Sequence, residues 1–92
     1  MAHVPHARLV VEVLSDSTAA YDRGEKLSQY QRIASLQEVL LVAHDVRRLE
    51  LWRRGPDGRW QLIVAETGGR LKLESARSTL EVDALYHELV AP

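Results

Sequence analysis

Ninety-two residues make one small domain with a thin stability margin, and the absence of cysteine excludes disulfide staples and thiolate metal sites. An apolar fraction of 46% beside 27% charged residues excludes disorder. No apolar run nears the roughly 20 residues that span a bilayer, and a net charge of −1 excludes molecule-wide attraction to DNA, so any such contact needs a local patch. Residues 1–7 lack the basic segment and apolar core of a signal peptide, so a cytoplasmic protein is expected. Self-association is the expected source of extra burial.

Residues 8–14, Arg-Leu-Val-Val-Glu-Val-Leu, predict a strand covered on both faces. Ser15, Asp16, Ser17 and Thr18 follow as cap residues for a helix over 19–34, with an apolar stripe of Ala20, Leu27, Ile33 and Ala34 and with Gly24 allowing close approach to the sheet. Residues 38–43 are a second apolar strand, and strand–helix–strand at this spacing is a βαβ unit with parallel strands. Residues 48–54 and 59–65 then alternate around Gly55-Pro56-Asp57-Gly58 as a hairpin. Pairing Arg54 with Arg59 sets Leu51 opposite Leu62 and Leu49 opposite Val64, with Arg53 against Trp60. Gly68-Gly69 turns the chain into strands at 71–73 and 79–82, and Asp83 caps a helix over 84–89 that Pro92 ends. The expected fold is a single α/β domain over 1–92: a mixed sheet with one βαβ unit and a C-terminal β-meander.

Glu12 is the anomaly, because a carboxylate inside a doubly covered strand costs several kcal/mol unless paired, protonated or metal-bound. Asp22, Lys26 and Tyr30 stand at i, i+4 and i+8, on one helix face, and the helix must fold back over the Glu12 strand. A carboxylate that holds a divalent ion and a lysine that steadies or deprotonates water form the working pair of a metal-assisted phosphodiester hydrolase. The plain alternatives are a solvent-facing or arginine-paired Glu12 and a surface Asp22–Lys26 ion pair, and spacing alone favours them. Only Lys26 and Lys72 are lysines among twelve basic residues. Arg47, Arg48, Arg53, Arg54 and Arg59 crowd the hairpin; a solvated hairpin relieved by Glu50 and Asp57 is favoured over contact with a phosphate backbone. His3 and His6 near a terminus, His44 at a turn and His87 on the last helix read as exposed side chains rather than ligands, with no cysteine and no clustered carboxylates expected beside them. Trp52 and Trp60 read as packing residues and Ser15 as a cap.

The run from Val10 to Thr18, followed by Asp22-Arg23-Gly24-Glu25-Lys26 and Tyr30, resembles the core motif of the Uma family of bacterial restriction endonucleases. The strand from Leu36 to Val42, the arginine-rich hairpin and the closing Leu80-Glu81-Val82-Asp83-Ala84-Leu85-Tyr86 agree with it. The resemblance covers residues 8–90 and equates them with the C-terminal half of a restriction-endonuclease-like, PD-(D/E)XK domain. It implies that Glu12 is the second acidic ligand of a Mg²⁺ or Mn²⁺ ion, with Lys26 as the catalytic lysine in place of Leu14, and Asp22 and Tyr30 as residues that position it. It also implies a first acidic ligand upstream, where this chain offers Ala7 and Arg8. Arg8 would then repel the ion or pair with Glu12. Two functions follow: a metal-dependent DNA endonuclease whose missing acid comes from a second chain, or a truncated, inactive remnant that persists as a homo-oligomeric structural or interaction module.

Overall fold

The computed structural model describes residues 8–17 and 19–90; the expectations placed on His3, His6, Ala7, Thr18 and Pro92 lie outside them. The four-stranded sheet has the order β1 (Leu9–Val13), β2 (Glu38–Val42), β3 (Arg48–Arg54), β4 (Trp60–Glu66). β1 and β2 run parallel, as the βαβ reading requires, and the other neighbours are antiparallel. β5 (Arg70–Leu73) and β6 (Ser78–Glu81) pair as a separate two-stranded ribbon, and α3 (Val82–Val90) closes the chain. The architecture is a mixed α/β fold compatible with a restriction-endonuclease-like domain.

Two cores lie on the two faces of the sheet. On one, Leu40, Val42, Leu49, Leu51 and Ala65 meet Leu71 and Leu73 of the ribbon and Val82 and Tyr86 of α3. On the other, Val10, Val39 and Leu41 meet Leu27, Tyr30 and Leu36 of the crossover. All five residues of β2 are buried, which explains the apolar run from Val39 to Val42, and the buried Glu38 at its start is held by Arg53 and Ser75. β1 is different. It stands at the sheet edge, and while Val10 and Glu12 are covered, Val11 and Val13 are 44% and 57% exposed, because the ribbon and α3 pack over the strands beyond it. The expectation of a doubly covered first strand is therefore corrected.

The crossover is a continuous helical stretch: α1 (Ala19–Tyr21), a π-helical turn (Asp22–Lys26) and α2 (Leu27–Gln31). In a regular α-helix Asp22 and Leu27 would stand about 140° apart. The wider i→i+5 turn brings both round to the sheet, and Tyr30 follows one turn later. Hence the buried stripe is Asp22, Leu27 and Tyr30, whereas Ala20 and Ala34, expected to be inside, are exposed. Gly24 is also exposed, and a Cβ there would meet nothing within 4 Å, so it serves no close approach to the sheet.

The hairpin register differs by one residue from that expected. Arg54 pairs with Trp60, so Leu51 faces Ile63 and Leu49 faces Ala65. The cause is a three-residue loop, Pro56 to Gly58, in which Gly58 takes a left-handed φ of 82° and the Gly55 N–H donates to the Arg59 carbonyl. A one-residue slip exchanges the faces of a strand, which puts Leu62 and Val64 on the exposed side. Asp83 lies inside the first turn of α3 rather than at its cap, where its carboxylate accepts from the Gly68 N–H and pairs with Arg47.

Candidate active site

The alternation of β1 turns Glu12 to the covered face, and the crossover returns over it. There the Tyr30 hydroxyl donates to Glu12 Oε1 at 2.6 Å, and Lys26 Nζ stands 3.1 Å from the same oxygen. Lys26 Nζ is also 3.7 Å from Asp22 Oδ1, so one ammonium is shared by two buried carboxylates. The four residues singled out in the sequence thus form one cluster beneath the π turn. The alternative of a solvent-facing Glu12 does not hold, and its cation is a lysine from the helix. Arg8 instead borders a cleft with Gln37, Glu38 and Arg53, at the other end of the strand.

The electrostatics follow from the burial. Burial pulls the Lys26 ammonium towards neutrality, but the hydrogen bond and charge of Glu12, then Asp22, outweigh it and hold its pKa above the ordinary value. Lys26 is a cation at neutral pH. Burial and the adjoining Glu12 likewise push the Tyr30 phenol well above its usual range, so Tyr30 is a donor and not a base. Two carboxylates flanking one ammonium keep the cluster acidic, and oxygen donors of this kind suit a hard divalent ion. Glu12 and Asp22 fit as a partial ligand set whose remaining positions would fall to water or phosphate oxygens.

Four of the five hairpin arginines are committed elsewhere, while Arg59 is exposed beside Asp57 at the hairpin tip. Arg48 bonds Glu50 and Glu66, Arg53 bonds Glu38 and the Lys72 carbonyl, and Arg47 pairs with Asp83. Arg54 donates to the carbonyls of Leu36, Ile33 and Gln31 and lies 4.6 Å from the Trp60 ring centre, so the cation–π contact belongs to Arg54 rather than Arg53. Its fork closes the C-terminal end of α2, where helix carbonyls lack partners. Arg23, from the π turn, grips Glu50 of β3 through two hydrogen bonds. The arginines clamp the crossover and the loops to the sheet, and Trp52 and Trp60 pack against the helix-side core as expected.

One grouping escaped the sequence reading. His44 Nε2 stands 3.0 Å from Asp16 Oδ1, and ligand atoms of Asp16, His44 and Asp45 lie within 4.8 Å of one another. Carboxylates do cluster at His44, contrary to expectation. The signal was the topology: Asp16 follows β1 and His44-Asp45 follows β2, and neighbouring parallel strands end side by side. His87 is exposed, as expected.

Residues 3–84 match the profile of the Uma2 family, described as "Putative restriction endonuclease". The chain belongs to this family. Two relatives from the cyanobacterium Synechocystis are the uncharacterised proteins slr1290, 41% identical over 88% of this chain and 43% of its own length, and sll1609, 37% identical over 64% of this chain and 33% of its own. The chain spans less than half the length of these curated relatives. Among the described residues, no helix is long and apolar enough to cross a membrane.

Proposed function

We propose that this family member carries the acid–lysine part of a divalent-metal-dependent DNA endonuclease site, and that cleavage requires a further acidic ligand beyond Glu12 and Asp22. The observation that supports this reading most is the sharing of Lys26 between Glu12 and Asp22 under a π turn, a helix irregularity that recurs at functional sites. Glu12 would hold a Mg²⁺ or Mn²⁺ ion, with Asp22 as a neighbouring oxygen donor as well as a support for the lysine. When bound, such an ion polarises a phosphodiester and acidifies water. Lys26, held protonated, is suited to steadying a water molecule or a phosphate oxygen rather than to abstracting a proton. Tyr30 fixes the Glu12 rotamer through its hydroxyl.

The second reading, a non-catalytic homo-oligomeric module, is favoured by the completeness of the ion network, in which each charge of the cluster already has a protein partner. Cleavage of supercoiled plasmid with Mn²⁺, run beside Mn²⁺ titration by electron paramagnetic resonance, separates the two. Metal binding lost in E12A, with nicking that also needs Lys26, is the expected result for the first. Nicking that persists in both E12A and K26A, or no Mn²⁺ binding by the wild type, refutes it and leaves the module.

A further inference from the structure

Glu50 is a buried carboxylate that the acid–lysine cluster does not use. The strand register sets Glu12, Leu41 and Glu50 in one row across β1, β2 and β3, on the face beneath the crossover. Two strand spacings separate the acids, roughly 9.5 Å between their Cα atoms. Each is gripped by a cation from the same π turn. Lys26 Nζ reaches Glu12 at 3.1 Å, and Arg23 holds Glu50 with a two-pronged fork, Nε to Oε1 at 3.1 Å and Nη2 to Oε2 at 3.0 Å. In a regular α-helix residues three apart stand about 60° apart round the axis. The wider turn opens that angle, so Arg23 leaves towards β3 while Lys26 leaves towards β1. Burial raises the Glu50 carboxyl, but hydrogen bonds from Arg23 and Arg48 outweigh it and hold its pKa below the ordinary value, so the anchor is charged.

We infer that Arg23 is a positioning residue for Lys26, its fork on Glu50 being the counter-anchor that keeps the ammonium between Glu12 and Asp22. Apolar packing restrains only one end of the turn. Ala20 and Tyr21 before it are exposed, whereas the buried Leu27 and Tyr30 both follow it. Rotation at the start of the turn is therefore left to polar contacts. The flexible four-carbon stem of Lys26 cannot supply that restraint alone, since it can follow a shifting backbone through many rotamers. An arginine fork on a buried carboxylate fixes direction as well as distance, which a point charge does not. Glu50 is itself held by Arg48, which also reaches Glu66 of β4, so the brace is rooted in the strands away from Glu12. The inference concerns where the lysine is held and goes beyond the metal-dependent reading. A wild type that binds no Mn²⁺ sinks the catalytic proposal and leaves the brace intact.

Lys26 and the exposed Lys72 are the only lysines, which makes the ammonium directly readable by nuclear magnetic resonance. In an isotope-labelled wild type, Lys26 is expected to give a slowly exchanging ammonium signal with a scalar coupling through its hydrogen bond to the Glu12 carboxylate, and Lys72 is not. R23M keeps an aliphatic stem and deletes the fork. It is expected to lose the Lys26–Glu12 coupling while its far-ultraviolet spectrum stays unchanged. R47M removes the exposed pair with Asp83, controls for general loosening, and should keep the coupling. Retention of the coupling in R23M, or an equal loss in R47M, overturns the inference. Should R23M fail to fold, R23Q is read against the same two outcomes. If the wild type nicks plasmid, R23M should also slow nicking by on the order of 100-fold at saturating Mn²⁺, with Mn²⁺ binding unchanged. An R23M rate equal to that of the wild type overturns the inference as well.

Discussion

Replacing Lys26 with methionine keeps most of the side-chain volume and deletes the charge that two buried carboxylates share. At an effective dielectric constant of about 20, a unit pair at 3.1 Å attracts by roughly 5 kcal/mol and one at 3.7 Å by slightly less. Desolvation cancels much of this, and breaking a buried pair typically costs about 3–5 kcal/mol. Lys26 is one-fifth exposed (21%), so the low end applies and K26M should lose ~3 kcal/mol at pH 7. For a domain of this size that lowers Tm by about 10–20 °C. The pH dependence carries the mechanism. In the wild type the raised Lys26 pKa means a contribution fully present below the unfolded-state pKa and lost as pH rises through the folded one, above about pH 10.5. Urea melts of wild type, K26M, E12Q and E12Q/K26M from pH 7 to 11 provide the measurement, and the K26M deficit should shrink at the alkaline end. The double variant should be more stable than the sum of the single losses predicts. A K26M deficit below about 0.5 kcal/mol, of the size expected for an exposed pair, or one independent of pH, would refute the account of a buried, shared ammonium.

Two further expectations concern the frame around the cluster. Burial raises the Glu38 carboxyl, but hydrogen bonds from Ser75, Arg53 and the Glu74 N–H outweigh it and hold its pKa below the ordinary value. Its contribution is therefore present above the unfolded-state pKa and lost as pH falls through the folded one, so E38Q should flatten acid unfolding below about pH 4 in a circular-dichroism titration. R54K retains the charge but not the fork that reaches the carbonyls of Gln31 at the helix end and of Ile33 and Leu36 in the loop after it, and should cost roughly 1–2 kcal/mol in urea. It should also speed amide exchange in α2, and unchanged exchange there would argue against a capping role.

The order of elements was legible from local patterning alone. The apolar runs of β1 and β2, the helical crossover between them and the glycine turns after Arg54 and Glu66 follow from chain stereochemistry and side-chain partition, which act over a few residues. The pairing of Glu12 with Lys26 was legible for the same reason, since a crossover helix has to return over the strand it leaves. Proximity in space was less so. Whether β1 was covered on one face or two depended on how far the ribbon and α3 reached. The partners of Arg48, Arg53 and Arg54 lie on strands, loops and helix ends distant in sequence, and so does the meeting of Asp16 with His44. The π turn shows the boundary between the two. Sequence spacing put Asp22, Lys26 and Tyr30 on one face of an α-helix, and that composition determined the cluster's members. Only the packing of Leu27 and Tyr30 into the core, beside Asp22, widened the turn and set one ammonium between two carboxylates, because burial of the apolar pair is satisfied in three dimensions and not along the chain.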